Sequence, residues 1–268
     1  MPYANMNGVK LRYELSGAGD PLVLVHGSWG DHHNWDLVVP GLAERYRVLA
    51  YDRRGHSDSE APPGQGRLDQ DVEDLAALVE TLNVAPAHVV GNSLGSIISL
   101  RLAGRRPELI RSLTAHEPPA FPLLDGDPAM APALQAVQQR IGAIAAQLES
   151  GDIPAGAHMF VEQMMGARWD DLPAQAQHTF LSNAPTWLDE VREGYPQGLT
   201  IDVDALSGFT KPVLLTDGDQ SPPFFPAVIG KLAIALPQAR RHTFVGAGHT
   251  PHLTMADDYV RNLLAFLP

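Results

Sequence analysis

Cysteine is absent from the 268 residues, which excludes disulfide bonds, thiolate metal sites and a cysteine nucleophile. Basic residues are scarce, since 19 lysines and arginines stand against 31 aspartates and glutamates, for a net charge of −12. This balance argues against nucleic acid or an anionic membrane as a partner. No apolar run approaches the length of a membrane span, and no signal peptide is visible at the N-terminus. We therefore expect a soluble cytoplasmic protein that acts on a small molecule.

Short apolar runs alternate with helical periodicity along most of the chain. The runs at Pro21–Val25, His88–Val90 and Pro212–Thr216 are typical of parallel strands that are buried on both faces. Helical spacing is clear over Leu68–Leu82, and we also predict one helix over His32–Arg45. Because strands alternate with helices, the sequence predicts an α/β fold with a mainly parallel sheet and helices on both faces.

The alternation stops for roughly 85 residues and then resumes, and such a stretch is too long for an ordinary loop. Within it we predict short helices, including Gln175–Leu181 and Thr186–Glu193, that are divided by proline and glycine. The sequence thus predicts a core formed by residues 1–117 and 207–268 and a helical cap formed by residues 118–206. The cap should lie over the carboxyl ends of the strands, where open α/β sheets bind their ligands.

A G-x-S-x-G motif, Gly91-Asn92-Ser93-Leu94-Gly95, stands between a predicted strand and a predicted helix. This context is that of a nucleophile elbow, in which a tight turn holds the serine hydroxyl out over the edge of the sheet. Only a residue without Cβ fits at the two glycines of the motif. We therefore predict that Ser93 is a nucleophile.

A serine hydroxyl needs a base to take its proton, and an acyl-transfer site needs N–H groups that bind the oxyanion. Of the eleven histidines, His249 has the expected position, in a glycine-rich loop after the last strand. The N–H of Leu94, directly after the nucleophile, and that of Ser28, after the Pro21–Val25 strand, suit the oxyanion hole.

Four motifs in order along the chain resemble those of the α/β-hydrolase superfamily. They are His26-Gly27-Ser28-Trp29-Gly30, Asp52-Arg53-Arg54-Gly55-His56-Ser57, the elbow around Ser93, and Gly246-Ala247-Gly248-His249. The resemblance spans nearly the whole chain and implies the α/β-hydrolase fold. It does not fix the substrate, because this fold hosts many reactions. Our leading hypothesis is a serine hydrolase that acts on ester bonds and uses neither a cofactor nor a metal ion.

The acid that would orient His249 departs from the common pattern of the superfamily. Most members carry an aspartate in a Gly-x-x-Asp turn after the seventh strand, where this chain has Ser221. Zearalenone-type lactone hydrolases carry a glutamate after the sixth strand, and their His-Glu-x-Pro pattern resembles the sequence around Glu117. This similarity favours Glu117 as the acid, with Asp217 and Asp219 as the alternatives.

The predicted cap is rich in methionine and aromatic residues, which favours a largely apolar pocket. We predict that Trp29, beside the oxyanion loop, and Trp187, which resembles a pocket tryptophan of the zearalenone-type enzymes, contact the substrate. The expected substrate is an apolar carboxylic ester or lactone, cleaved through an acyl-serine intermediate. Two alternatives share the same residues: a ligand-binding or signalling protein with little turnover, and a non-hydrolytic enzyme such as a cofactor-free oxygenase or perhydrolase.

Overall fold

A computed structural model describes residues 2–62, 66–193 and 195–268, and these residues form an eight-stranded sheet flanked by helices. The strand order across the sheet is β1-β2-β4-β3-β5-β6-β7-β8. The pairs β1·β2 and β2·β4 are antiparallel, whereas all other neighbours are parallel. The strands are β1 (Tyr3–Met6), β2 (Val9–Ser16), β3 (Asp20–Val25), β4 (Tyr46–Tyr51), β5 (Ala87–Asn92), β6 (Ile110–His116), β7 (Val213–Gly218) and β8 (Arg240–Phe244).

Ten α-helices are found in the described residues. They are α1 (Val39–Ala43), α2 (Leu68–Thr81), α3 (Leu94–Arg105), α4 (Ala131–Glu149), α5 (Ile153–Phe160), α6 (Ala174–Arg192), α7 (Val203–Ser207), α8 (Phe224–Ala235), α9 (Pro251–Thr254) and α10 (Ala256–Phe266). None of them is long and apolar enough to cross a membrane.

The sheet is covered on both faces, as its apolar strands require. Val23 and Val25 of β3 belong to one buried cluster with residues of α2, α3 and α8. Leu22 and Leu24, which point the other way, belong to a second cluster with residues of α1 and α10. All four side chains are fully buried, and each contributes about 1.5–3 kcal/mol to stability. The predicted α/β fold class is confirmed.

Residues 118–206, which lie between β6 and β7 and which we call the helical insert, contain α4, α5 and α6. The predicted break within the last of these was wrong, because α6 continues through Pro185. Proline removes one helical hydrogen bond, but the flanking Asn183, Ala184, Thr186 and Trp187 are buried and hold the helix together by packing.

The predicted helix over His32–Arg45 was also wrong. A single 3₁₀ turn, His32–Trp35, is followed by α1, which begins only at Val39. The side chain of Asp31 accepts a hydrogen bond from the N–H of His33 and so starts the first turn. Pro40 in the first turn of α1 has no N–H to donate to a preceding helical turn, which favours a separate helix start.

Five neighbouring parallel strands, β3, β5, β6, β7 and β8, end at the same edge of the sheet. The segments that follow these strands carry Ser28, Ser93, Glu117 and His249, which therefore lie at one edge of the sheet.

Candidate active site

Ser93 occupies a strained turn between β5 and α3. Its backbone has φ +55° and ψ −122°, a conformation that costs a non-glycine residue about 1–3 kcal/mol. The turn is held because the N–H of Ser93 donates to the carbonyl of His116 at 2.9 Å. A Cβ at Gly95 would collide with the backbone carbonyl of Val25, so the helix can approach β3 only with glycine there. The strand–turn–helix geometry of a nucleophile elbow is present.

The loop after β3 packs directly against the elbow. A Cβ added to Gly27 would lie 2.9 Å from the Cβ of Ser93, so the backbone beside Ser28 reaches the serine. Leu94 is the first residue of α3, where helix N–H groups have no partner within the helix. Within the described part of the chain, neither the N–H of Ser28 nor that of Leu94 donates a hydrogen bond. Both predicted oxyanion donors are thus available at the elbow.

Glu117 lies beside Ser93 because β5 and β6 pair in register. Asn92, the last residue of β5, is opposite His116, the last residue of β6. Ser93 and Glu117 directly follow these two residues. The Glu117 carboxylate is fully buried. Its Oε2 lies 2.6 Å from Nδ1 of His249, and its Oε1 accepts the N–H of Gly218 at 2.8 Å. One carboxylate oxygen therefore orients the His249 imidazole, and the other holds the backbone at Gly218.

Burial by itself would raise the pKa of Glu117, but the hydrogen bond from His249 and the positive charge that this ring carries when protonated hold the pKa below its ordinary value. Ser221 occupies the position at which the superfamily pattern carries its aspartate. Its hydroxyl has no hydrogen-bond partner among the described residues. The Glu117 carboxylate is held instead by its bonds with His249 and Gly218.

The two alternative acids make other contacts. Asp219 Oδ1 accepts the N–H of Gly246 at 2.7 Å and so stabilises the loop that leads to His249. Asp217 is buried on β7, where its Oδ1 has no hydrogen-bond partner among the described residues. Neither carboxylate bonds to the ring of His249.

Two contacts that are not predicted in the sequence analysis hold His249 in place. The ring stacks on Phe225 with centroids 4.7 Å apart and an interplanar angle of 17°. The side-chain amide of Asn92 donates to the carbonyl of His249 at 3.1 Å, which ties this loop to the elbow. Asn92 lies within the G-x-S-x-G motif, so its position could have indicated such a role. Phe225 lies in α8, outside the four sequence motifs, and no pattern around it indicates a contact with His249.

Trp29 and Trp187, which are buried, lie in one aromatic cluster with the partly buried Phe160 and Phe180 of the helical insert. The ring centroids of Trp29 and Trp187 are 5.1 Å apart, and Trp29 stacks on Phe160 at 4.5 Å. Trp29 is 1% exposed and Trp187 is 6% exposed. Because Trp29 directly follows Ser28, the cluster adjoins the candidate oxyanion hole.

His116, Glu117 and His249 form a group of metal-ligand type whose donor atoms lie within 4.8 Å of one another. A tetrahedral ion with donors at about 2.1 Å would keep those donors about 3.4 Å apart. The 2.6 Å between His249 and Glu117 is instead the length of a charge-assisted hydrogen bond. His116 already bonds through Nδ1 to the hydroxyl of Thr216 at 2.9 Å, and burial lowers its pKa to about 4. The group fits a hydrogen-bonded pair beside a neutral imidazole better than a metal centre.

Comparison with known proteins shows the family of this chain. The model of the alpha/beta hydrolase fold family matches residues 20–256, so the chain belongs to that family. Over 113 residues it is 43% identical to the dihydrolipoyllysine-residue acetyltransferase component of the acetoin cleaving system of Pseudomonas putida; the match covers 41% of this chain and 30% of that protein. A longer match is 27% identical over 262 residues to the 2-(acetamidomethylene)succinate hydrolase of Mesorhizobium japonicum, covering 92% of this chain and 89% of the relative.

The first curated relatives are matched over only part of their length, between 30% and 45%. Among solved structures, the enol-lactonase of Burkholderia xenovorans LB400 superimposes with a TM-score of 0.79. It is 23% identical, and the alignment covers 99% of each chain. At this identity the likeness shows the shared fold.

Proposed function

We propose that this protein is a serine hydrolase that cleaves a carboxylic ester or lactone with an apolar body. The observation that carries the proposal is the short contact of His249 with the buried Glu117 carboxylate, next to a serine held on a nucleophile elbow. A whole-length relative is itself named a hydrolase. Ser93, His249 and Glu117 are then nucleophile, base and orienting acid.

In the first half of the reaction, Ser93 Oγ attacks the substrate carbonyl and its proton passes to Nε2 of His249. The carbonyl oxygen takes up the negative charge and accepts hydrogen bonds from the N–H groups of Ser28 and Leu94. When the tetrahedral intermediate collapses, the C–O bond breaks and the leaving alcohol takes the proton from His249. An acyl-Ser93 ester remains.

In the second half, a water molecule attacks the acyl carbon while His249 takes its proton. Collapse then releases the carboxylic acid and returns the proton to Ser93 Oγ. Glu117 stays ionised throughout and stabilises the imidazolium through Nδ1. A carboxylate with a lowered pKa suits this role, because it does not take the proton from the ring.

The helical insert is proposed to be the cap of the site, and its aromatic cluster is proposed to bind the apolar part of the substrate. Trp29 and Trp187 are large rigid apolar side chains that pack together beside the oxyanion loop. An apolar environment of this kind favours a substrate with an apolar acyl group or lactone ring over a charged one.

A fluorophosphonate probe tests the nucleophile directly. Ser93 Oγ should displace fluoride from the phosphorus, so intact mass should rise by one phosphonyl group, and peptide mapping should place that group on Ser93. Ser93→Ala should not be labelled, whereas Ser182→Ala, which removes an exposed serine of the insert, should be labelled like wild type. Equal labelling of Ser93→Ala and wild type would exclude Ser93 as the nucleophile.

A further inference from the structure

A buried ion cluster joins the helical insert to the oxyanion loop. The Arg53 guanidinium, 1% exposed, donates to Asp71 at 3.0 Å and forms a short ion pair with Glu190 of α6. It also donates to the carbonyl of Gly27 at 3.3 Å. One arginine thus bonds both to the insert and to the backbone next to Ser28.

Glu190 also bonds to this loop directly. The hydroxyl of Ser28 donates to Glu190 Oε2 at 2.9 Å, while Glu190 Oε1 pairs with Arg53. The Glu190 side chain is 7% exposed, so both bonds lie out of water and are strong. This carboxylate therefore holds Ser28 through its side chain and Gly27 through Arg53.

A second residue of α6 holds the other half of the loop. The side-chain amide of Asn183, which is fully buried, donates to the carbonyls of Gly30 at 2.9 Å and of Trp29 at 3.3 Å. Asn183 and Glu190 are two helical turns apart and share one side of α6. Trp29 has φ +64°, a strained value that surrounding contacts must maintain.

We propose that Glu190, together with Arg53, is a positioning residue for the oxyanion hole. Through these two side chains, the packing of α6 against the core fixes the position of the Ser28 N–H. The inference rests on the proposed serine hydrolase function. All four residues of the Gly27–Gly30 loop are bonded to α6 or to Arg53. An oxyanion donor works only at about 2.7–3.1 Å from the developing charge, so a small displacement of the loop removes its effect.

We call the contacts of Glu190 with Ser28 and Arg53 the clamp. The variants Glu190→Gln and Ser28→Ala each alter one partner of these contacts. Glu190→Gln removes the charge that pairs with Arg53. Ser28→Ala removes only the hydroxyl, so the N–H and the Arg53–Glu190 pair remain. We therefore expect the Tm of this variant to be unchanged. Asp189→Asn, a change at a partly exposed neighbour on the same helix, is the matched control.

Both variants should lower kcat for a small acetate ester by about 10-fold to 100-fold, with KM changed less than about two-fold, because the oxyanion is bound only in the transition state. Inhibition by a trifluoromethyl ketone, whose adduct with Ser93 carries an oxyanion, should weaken in parallel. Ser28→Thr, which keeps a hydroxyl, should retain a higher kcat than Ser28→Ala. Asp189→Asn should resemble wild type in all three measurements.

Hydrogen exchange of the Gly27–Gly30 loop, followed by mass spectrometry, separates this inference from the proposed function. Faster exchange in Glu190→Gln, together with the loss in kcat at an unchanged Tm for Ser28→Ala, supports the clamp. Unchanged exchange, or a loss confined to KM, overturns it. A wild-type protein that hydrolyses no ester and forms no ketone adduct overturns the proposed function and the oxyanion role with it, whatever the exchange shows.

Discussion

Replacing Glu117 with glutamine should almost abolish hydrolysis while leaving the fold intact. The side chain is fully buried and has the shape of glutamine, so the substitution changes charge and hydrogen bonding but not packing. An amide oxygen can still accept the N–H of Gly218, which now bonds to Oε1 at 2.8 Å. The amide nitrogen would then face Nδ1 of His249 and donate to it.

That reversal matters because it places the imidazole proton on Nε2. A ring protonated there cannot accept the proton of Ser93, and no carboxylate remains to stabilise an imidazolium. The equivalent change in a serine protease lowers kcat by about 10⁴-fold, or about 5.5 kcal/mol in activation free energy. Because the bond in this chain is 2.6 Å long and its carboxylate is fully buried, we expect a loss of the same order.

Steady-state hydrolysis of p-nitrophenyl acetate measures this effect. Asp219→Asn is the matched control, since asparagine keeps an oxygen that can accept the N–H of Gly246. Asp217→Asn tests the remaining alternative acid. Both aspartate variants should stay within about ten-fold of wild type. A small loss of hydrolysis rate in Glu117→Gln, together with a large loss in an aspartate variant, would show that Glu117 is not the orienting acid and that the acid is Asp217 or Asp219.

Two further predictions concern the aromatic cluster and the buried His252. Trp187→Ala should raise KM for bulky apolar esters at least about ten-fold more than for an acetate ester, because Trp187 is proposed to contact only the remote part of a substrate. Equal changes with both substrates would contradict this proposed role. His252→Leu should make the fold less sensitive to acid, because His252 is fully buried, neither of its ring nitrogens has a hydrogen-bond partner in the part of the chain that the structure describes, and burial holds its pKa well below its ordinary value near 6.5. The unfolded chain binds the extra proton below pH 6.5, so urea unfolding should show wild type losing about 1.4 kcal/mol more than the variant between pH 7.5 and 5.5, and equal losses would refute this.

Local motifs made the elbow and its partners predictable from the sequence. A G-x-S-x-G motif between a strand and a helix permits few backbone paths, and the backbone at Ser93 follows the expected one. The strand ends that carry Ser28, Glu117 and His249 followed from the alternation of strands and helices. The roles of these residues stay predictions, although His249 and Glu117 do lie in hydrogen-bond contact.

The connections between the insert and the core could not be predicted in the same way. Ser28 and Glu190 are 162 residues apart, and a glutamate near the end of an amphipathic helix has the pattern of a solvated charge. Its burial depends on Arg53, which is supplied by a different loop. The same limit explains why Pro185 was expected to end a helix: local propensity favours a break, whereas packing on both sides of the proline maintains α6.

Release of p-nitrophenol from a short-chain ester, counted per molecule of enzyme, tests the serine hydrolase proposal most directly. Wild type should release many equivalents at a steady rate, because the proposed base, His249, has a 35% exposed ring at which water could be activated against the proposed acyl-Ser93. Ser93→Ala should lose about 10⁴-fold or more of that rate. Release that stops after one equivalent with every ester and lactone tried would indicate a ligand-binding protein, and a Ser93→Ala variant that keeps a large share of the rate would contradict the proposed mechanism.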